Sequence, residues 1–246
     1  MRWWLVLPLV VAVIGRAWWR WRRGTARQRR LMLLCRRAGL GFAPLDLRPD
    51  TAWLPFPIFG YERHGTENVV WDRALGEDVY AFDLWYVEPA DERGRGVRRT
   101  LTCAAVPLRS SCPRLRVAPR DLADDVARAF GGEEVRLELE AFDRRFRVET
   151  ADARFAFAFL DQRLMEAFQE LPDGVTVDVN GDHLLLWAPL LPAEQVLVLF
   201  DAATAIRRRI PRVVSSLFPP RPERGAHEHR WLQGRWSPES TGSDVA

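Results

Sequence analysis

The chain has 246 residues, 48% hydrophobic and 28% charged, a balance ordinary for a folded protein and too apolar for disorder throughout. All 36 basic residues are arginine, which excludes a Walker-A lysine, a Schiff-base lysine for pyridoxal phosphate or aldol chemistry, and a biotinyl or lipoyl attachment site. Residues 1–37 hold ten arginines and no acid, +10 against +3 for the whole chain, so the remainder carries −7 and is a poor partner for nucleic acid, whose affinity comes mostly from phosphate contacts.

The apolar run WWLVLPLVVAVI opens at Trp3 and continues to Trp19 with Arg16 as its one charge. As a helix it covers ~24 Å, slightly less than the ~30 Å hydrocarbon core. Trp3 and Trp4 at one end and Trp18, Trp19 and Trp21 at the other suit the headgroup level, and Arg16 can snorkel to the same depth. The pattern predicts a transmembrane anchor over residues 1–21, with Trp3, Trp4, Arg16, Trp18, Trp19, Arg20, Trp21, Arg22 and Arg23 at the membrane interface. A cleaved signal peptide is the competing reading, since the apolar core is short and Gly15 and Ala17 suit a cleavage site. Such a peptide carries its positive charge before the apolar run, and here the charge follows it. The same asymmetry predicts a single-pass protein of the cell membrane, with the amino terminus outside and the following chain cytoplasmic. Anionic lipid headgroups are the partner that the arginine flank matches, at ~1 kcal/mol per basic residue near the surface; arginines that only fix topology would give the same pattern.

Residues 22–40 read as an Arg-rich juxtamembrane helix, with Leu31, Leu34, Cys35 and Ala38 on one stripe and Gly39 as its stop. Residues 41–66, with Pro44, Pro49, Pro55 and Pro57, read as extended and irregular. Their Trp53, Phe56, Ile58 and Phe59 are too apolar for a free linker and are expected under the domain or along the bilayer. Cys35, Cys103 and Cys112 form no C-x-x-C pair, so neither a disulfide framework nor a zinc ribbon is indicated. Cys35 reads as a small apolar helix-face residue, with palmitoylation as the alternative.

Residues 67–218 read as a cytoplasmic α+β domain. Strands are expected over 68–73 and 79–87, the second apolar on both faces and therefore central, with Asp83 as a buried-acid candidate. Further strands are expected over 97–108 and 115–118, then a helix from Asp121 to Gly131. Residues 135–140 alternate as a strand that runs on through 142–146 towards Val148. Asp152 caps a helix carrying Phe155, Phe159, Leu160, Leu164 and Phe168 on one stripe, a core pattern rather than a cofactor box. Asn180-Gly181 predicts a hairpin returning through His183 to Trp187. Pro192 opens a last helix that buries Val196, Leu199, Phe200, Ala203 and Ile206, with Arg207, Arg208 and Arg209 complementing its carboxyl end. Residues 219–246 lose the apolar pattern and read as a disordered tail, in which Trp231 and Trp236 either contact a partner or the membrane or have no role.

The four histidines lack the i, i+4 spacing of a zinc protease, and no G-x-S-x-G elbow, post-strand G-x-G-x-x-G or EF-hand loop is present. No cofactor or metal is implied. Asp83 and Asp143 are the weak acid-site candidates, imaginable as paired carboxylates, although strand acids beside arginines are more often ion-paired.

The arginine flank after one span, the Pro/Phe stretch ending FG, and then NVV, VYAFDLWYVE, TCAAVPL, FDRRFRVETADARFAFAFLDQRLMEAF and IPRVVSSLFPP follow one another in an order that resembles an actinobacterial family of single-span membrane proteins of unknown function. The likeness runs over about residues 3–220. It implies location and continuity of fold, and no activity, cofactor or catalytic residue. The expected architecture is α+β: an N-terminal transmembrane helix, then an antiparallel sheet of roughly six to eight strands covered by two or three helices. The expected function is a membrane-anchored cytoplasmic binding or scaffolding module with an unidentified ligand and protein partner. The alternatives are an enzyme acting on a membrane-associated substrate through carboxylate and arginine groups, or a secreted protein if the amino-terminal segment is cleaved. A pocket with converging, unpaired acids would favour the enzyme, and an exposed apolar patch near Trp53 and Phe56 the binding module.

Overall fold

The computed structural model describes residues 24–45, 51, 54–72, 79–88, 96–120, 133–137 and 139–220. The expected anchor over 1–21, the helix from Asp121, Trp53 and the tail beyond residue 220 lie outside the described residues. Among the described residues, no helix is long and apolar enough to cross a membrane.

The fold is mixed α+β around a seven-stranded antiparallel sheet, as the alternating patterns predict. Strands β1 (Gly41–Ala43), β2 (His64–Trp71), β3 (Tyr80–Val87), β4 (Arg98–Pro119), β5 (Glu133–Val135), β6 (Phe146–Thr150) and β7 (Thr176–Pro189) build it, in the order β1-β2-β3-β4-β6-β5. Strand β7 lies along β4 from Leu101 to Val117. Helices α1 (residues 24–38), α2 (Glu140–Arg145), α3 (Ala153–Phe159), α4 (Gln162–Gln169), α5 (Ala193–Arg209) and α6 (Arg212–Leu217) complete the chain, more than the two or three expected.

Both faces of the sheet are covered, which is why β3 is apolar on both. Val79 and Ala81 join the core under the helices, where Leu31 and Cys35 of α1 meet Phe155, Phe159, Leu164, Phe168, Leu199 and Ile206. Tyr80, Phe82, Leu84 and Tyr86 point the other way, into a second core closed by Leu54, Phe56, Ile58 and Phe59. The proline-rich segment is thus the lid of that second core. Tyr61 stacks on Tyr86 at 4.4 Å between ring centres, and Asn180 Nδ2 donates to the Pro55 carbonyl at 2.5 Å. Phe56, Ile58 and Phe59 are buried under the domain, the first of the two placements expected for them, and the exposed patch that would have favoured a binding module does not form at Phe56. The sheet also begins earlier than residue 67, at Gly41.

Four local expectations differ from the structure. Residues 97–108 and 115–118 belong to a single 22-residue strand, β4. Asn180-Gly181 does not turn a hairpin, because both halves of β7 find their partner in β4. Gly181 takes φ +58° inside the strand, where the register shifts between Cys112 and Leu115; a bulge uses the same left-handed glycine as a tight turn. Residues 140–145 form α2 instead of strand. Glu140 in its first turn and Arg144 and Arg145 in its last suit the helix dipole, and Phe142 packs on Phe146 and Phe168. Finally, the single aromatic helix is two. Asp152 caps α3 by accepting from Phe155 N at 3.0 Å, and Asp161 caps α4 by accepting from Leu164 N at 2.8 Å, each cap worth ~1 kcal/mol. The break leaves the whole Phe155-to-Phe168 stripe buried.

Candidate functional site

Helix α1 is fastened to the sheet chiefly through Arg27. Arg27 on α1 forms a bidentate pair with Asp83 on β3, Nη1 to Oδ2 at 2.5 Å and Nη2 to Oδ1 at 3.0 Å, and its Nε donates to the Leu191 carbonyl at 2.8 Å. Asp83 also accepts from Asn68 Nδ2 at 2.7 Å and from Thr102 Oγ1 at 3.0 Å, and Leu191 N donates to Thr102 Oγ1 at 3.0 Å. Asn68 reaches the carboxylate because β2 bulges between Glu67 and Val70, with Asn68 at φ +55°, a region that asparagine tolerates better than most residues. Gln28 of α1 then donates to Asn68 Oδ1 at 3.2 Å. Arg30 adds an exposed ion pair with Glu194 at the start of α5. Asp83 is thus the buried acid that the sequence suggests, held by Asn68 and Thr102 within the sheet and by Arg27 from α1.

Asp143 stands elsewhere. It lies on α2, where its carboxylate accepts from Leu137 N at 3.1 Å and its carbonyl accepts from Arg120. The two candidate acids share no hydrogen-bond partner, so the structure does not bring them together. His64 contacts the Tyr61 carbonyl and His183 pairs with Asp182 at 2.7 Å. Among the described residues, no group of three His, Cys, Asp or Glu is arranged to hold a metal ion.

Sequence reasoning missed a second buried pair. Arg116 on β4 faces Asp178 on β7 and binds it bidentately at 2.7 and 2.9 Å, while Trp187 Nε1 donates to the same carboxylate at 2.9 Å. The available signal was an arginine inside one apolar strand and an aspartate inside another, a cross-strand pair once the two are aligned.

All three cysteines are free and buried. Burial pushes the Cys35 thiol up to about 11 and the Cys112 thiol up to about 12, and raises that of Cys103 as well. Folded protein should therefore react with iodoacetamide at pH 8 at least ~100-fold more slowly than urea-unfolded protein, because thiolate is the nucleophile and lies two units further away. Quantitative labelling by mass spectrometry checks this. Unfolded thiols ionise first as pH rises through 9.0, so stability should fall between pH 9.0 and about 11.

A basic cleft opens between β4 and the junction of α5 with α6. It holds about 380 Å³ and is lined by Leu108, Arg109, Ser110, Cys112, Arg207, Arg208, Ile210, Pro211, Arg212 and Ser215. Two irregularities make it. Pro107 of β4 faces His183 and Cys112 faces Gly181, so a bulge of residues 108–111 leaves the ladder. Opposite, Pro211 ends α5 and turns the chain into α6. Ser111 N donates to the Phe218 carbonyl at 3.1 Å and holds the two walls together.

No family model and no curated protein matches the sequence. Among solved structures, the chain is similar to the crystal structure of the mycobacterial trehalose monomycolate transport factor A, at 14% identity and a TM-score of 0.54, over 80% of this chain and 98% of that one. At that identity the likeness shows the fold alone.

Proposed function

We infer that this chain is a membrane-anchored binding module whose folded body is held at the inner face of the cell membrane. The observation that carries the reading is the seating of α1. The helix that follows the apolar, tryptophan-flanked run is not a free tether: Leu31 and Cys35 are fully buried and Arg27 is locked to Asp83. A body fixed to its juxtamembrane helix presents a defined surface at a defined distance from the bilayer, which suits an adaptor or a carrier. Both candidate acids are engaged by donors, which removes the main support for an enzyme. A fold neighbour named as a transport factor agrees with a binding role.

The reading is tested by fractionating cells that express the full chain or residues 22–246, each with a carboxyl-terminal reporter that is active only in the cytosol. The full chain should sediment with membranes and the shorter chain should not, both with an active reporter. Mature protein lacking the first residues, or a reporter silent in the full chain, would replace the anchor with a secretion signal.

A further inference from the structure

The arginines around the cleft are more than a helix-end effect. Cations at the carboxyl end of α5 complement its dipole, and that accounts for Arg207 and Arg208. It does not account for Arg109, which comes from the β4 bulge, or for Arg212, which stands at the amino end of α6, where a cation gains nothing from the dipole. Arg109, Arg208 and Arg212 form no ion pair with any described residue. Asp182, the acid beside Cys112, is hydrogen-bonded to His183 and is not among the residues that line the cleft. The guanidinium groups of Arg109, Arg208 and Arg212 therefore converge on one opening with no ion-pair partner among the described residues.

We propose that this cleft binds a phosphate ester, with the phosphate between Arg109, Arg208 and Arg212 and the carbon body against Leu108, Ile210 and Pro211. A single carboxylate is satisfied by one guanidinium fork, whereas a phosphate has enough oxygens to serve several. The volume is that of a small-molecule site, ~300–1,000 Å³. The phosphate can come from a soluble metabolite or from a lipid headgroup. Along helix α5 the cleft residues Arg207 and Arg208 lie ~20 Å from Glu194, which meets α1, so the opening stands well away from that contact. That separation favours the soluble source. The inference rests on the binding-module reading and gives it a ligand class.

The test is calorimetric titration of the full chain in phosphatidylcholine nanodiscs, first with glycerol 3-phosphate and then with dihexanoyl phosphatidic acid. Saturable binding is expected with at least one, the first identifying a soluble source and the second alone a lipid source. The Arg109→Gln/Arg212→Gln variant should bind about tenfold more weakly or worse, while Arg36→Gln/Arg37→Gln, which removes two exposed charges from α1, should bind as the wild type does. No saturable binding, or an equal loss in both variants, would overturn the proposal, the latter by reducing it to diffuse attraction. All four arginines are exposed, and an unchanged melting curve verifies that the variants are folded. A protein that sediments with membranes yet binds neither probe would lose its ligand class and keep its location; a secreted protein that binds would do the reverse.

Discussion

Replacing Asp178 with alanine should lower the stability of the domain by about 3–5 kcal/mol, the largest loss expected from any single carboxylate here. The side chains of Arg116 and Asp178 are 1% and 2% exposed, so the guanidinium left behind has no water to turn to and cannot shed its proton. Trp187 Nε1 loses its acceptor in the same step. The pair stands beyond both register shifts of the β4–β7 ladder, where nothing local specifies which residues should face each other. A slip of one residue would drive one of the two charges to the other face of the sheet, so the pair selects the register more than it adds stability. Arg116→Met/Asp178→Leu should accordingly recover much of the loss, since well-packed apolar residues often replace a buried pair at little cost. Urea denaturation followed by tryptophan fluorescence reads both variants. A loss below ~1 kcal/mol in Asp178→Ala would mean that the site is wet and the register argument wrong.

The limits of the sequence reading have the same origin. Signals that depend on neighbours in the chain were readable: the Asp152 cap, the alternation of β3, the buried face of α5 and the Gly39 stop, which takes φ +73°. Signals that depend on a distant strand were not. Whether Asn-Gly turns back or bulges is decided by where the following residues find hydrogen bonds, and a 22-residue partner outcompetes a hairpin that would pair β7 only with itself. Residues 135–140 alternate like a strand and the reading carries that strand on through 142–146, yet Arg145 donates to the Gln169 and Leu171 carbonyls and Phe142 is drawn between Phe146 and Phe168, so tertiary packing sets a helix over 140–145. The basic cleft was visible only as its parts. Arg207 and Arg208 read as helix-end charges, and their meeting with Arg109, about a hundred residues earlier, requires the bulge and the Pro211 corner together.

Arg27→Ala should loosen α1 before it unfolds the sheet. The substitution leaves Asp83, 4% exposed, with only Asn68 and Thr102 as donors, an expected cost of about 3 kcal/mol. Asp83→Ala should cost less, because Arg27 is 17% exposed and can swing its charge towards water. The difference between the two gives the asymmetry of the latch, and the double variant completes the cycle. Amide exchange is the decisive measurement. Residues 24–38 should exchange faster in Arg27→Ala than in the wild type under conditions where β4 and β7 stay protected, a local opening rather than a global one. If α1 keeps its protection, burial of Leu31 and Cys35 is sufficient to hold it and the ion pair only orients the helix. If α1 opens, the Gln28 and Arg30 contacts and the burial of Leu31 and Cys35 are not enough to hold the helix, and the Arg27–Asp83 pair is the contact that fixes α1 on the sheet.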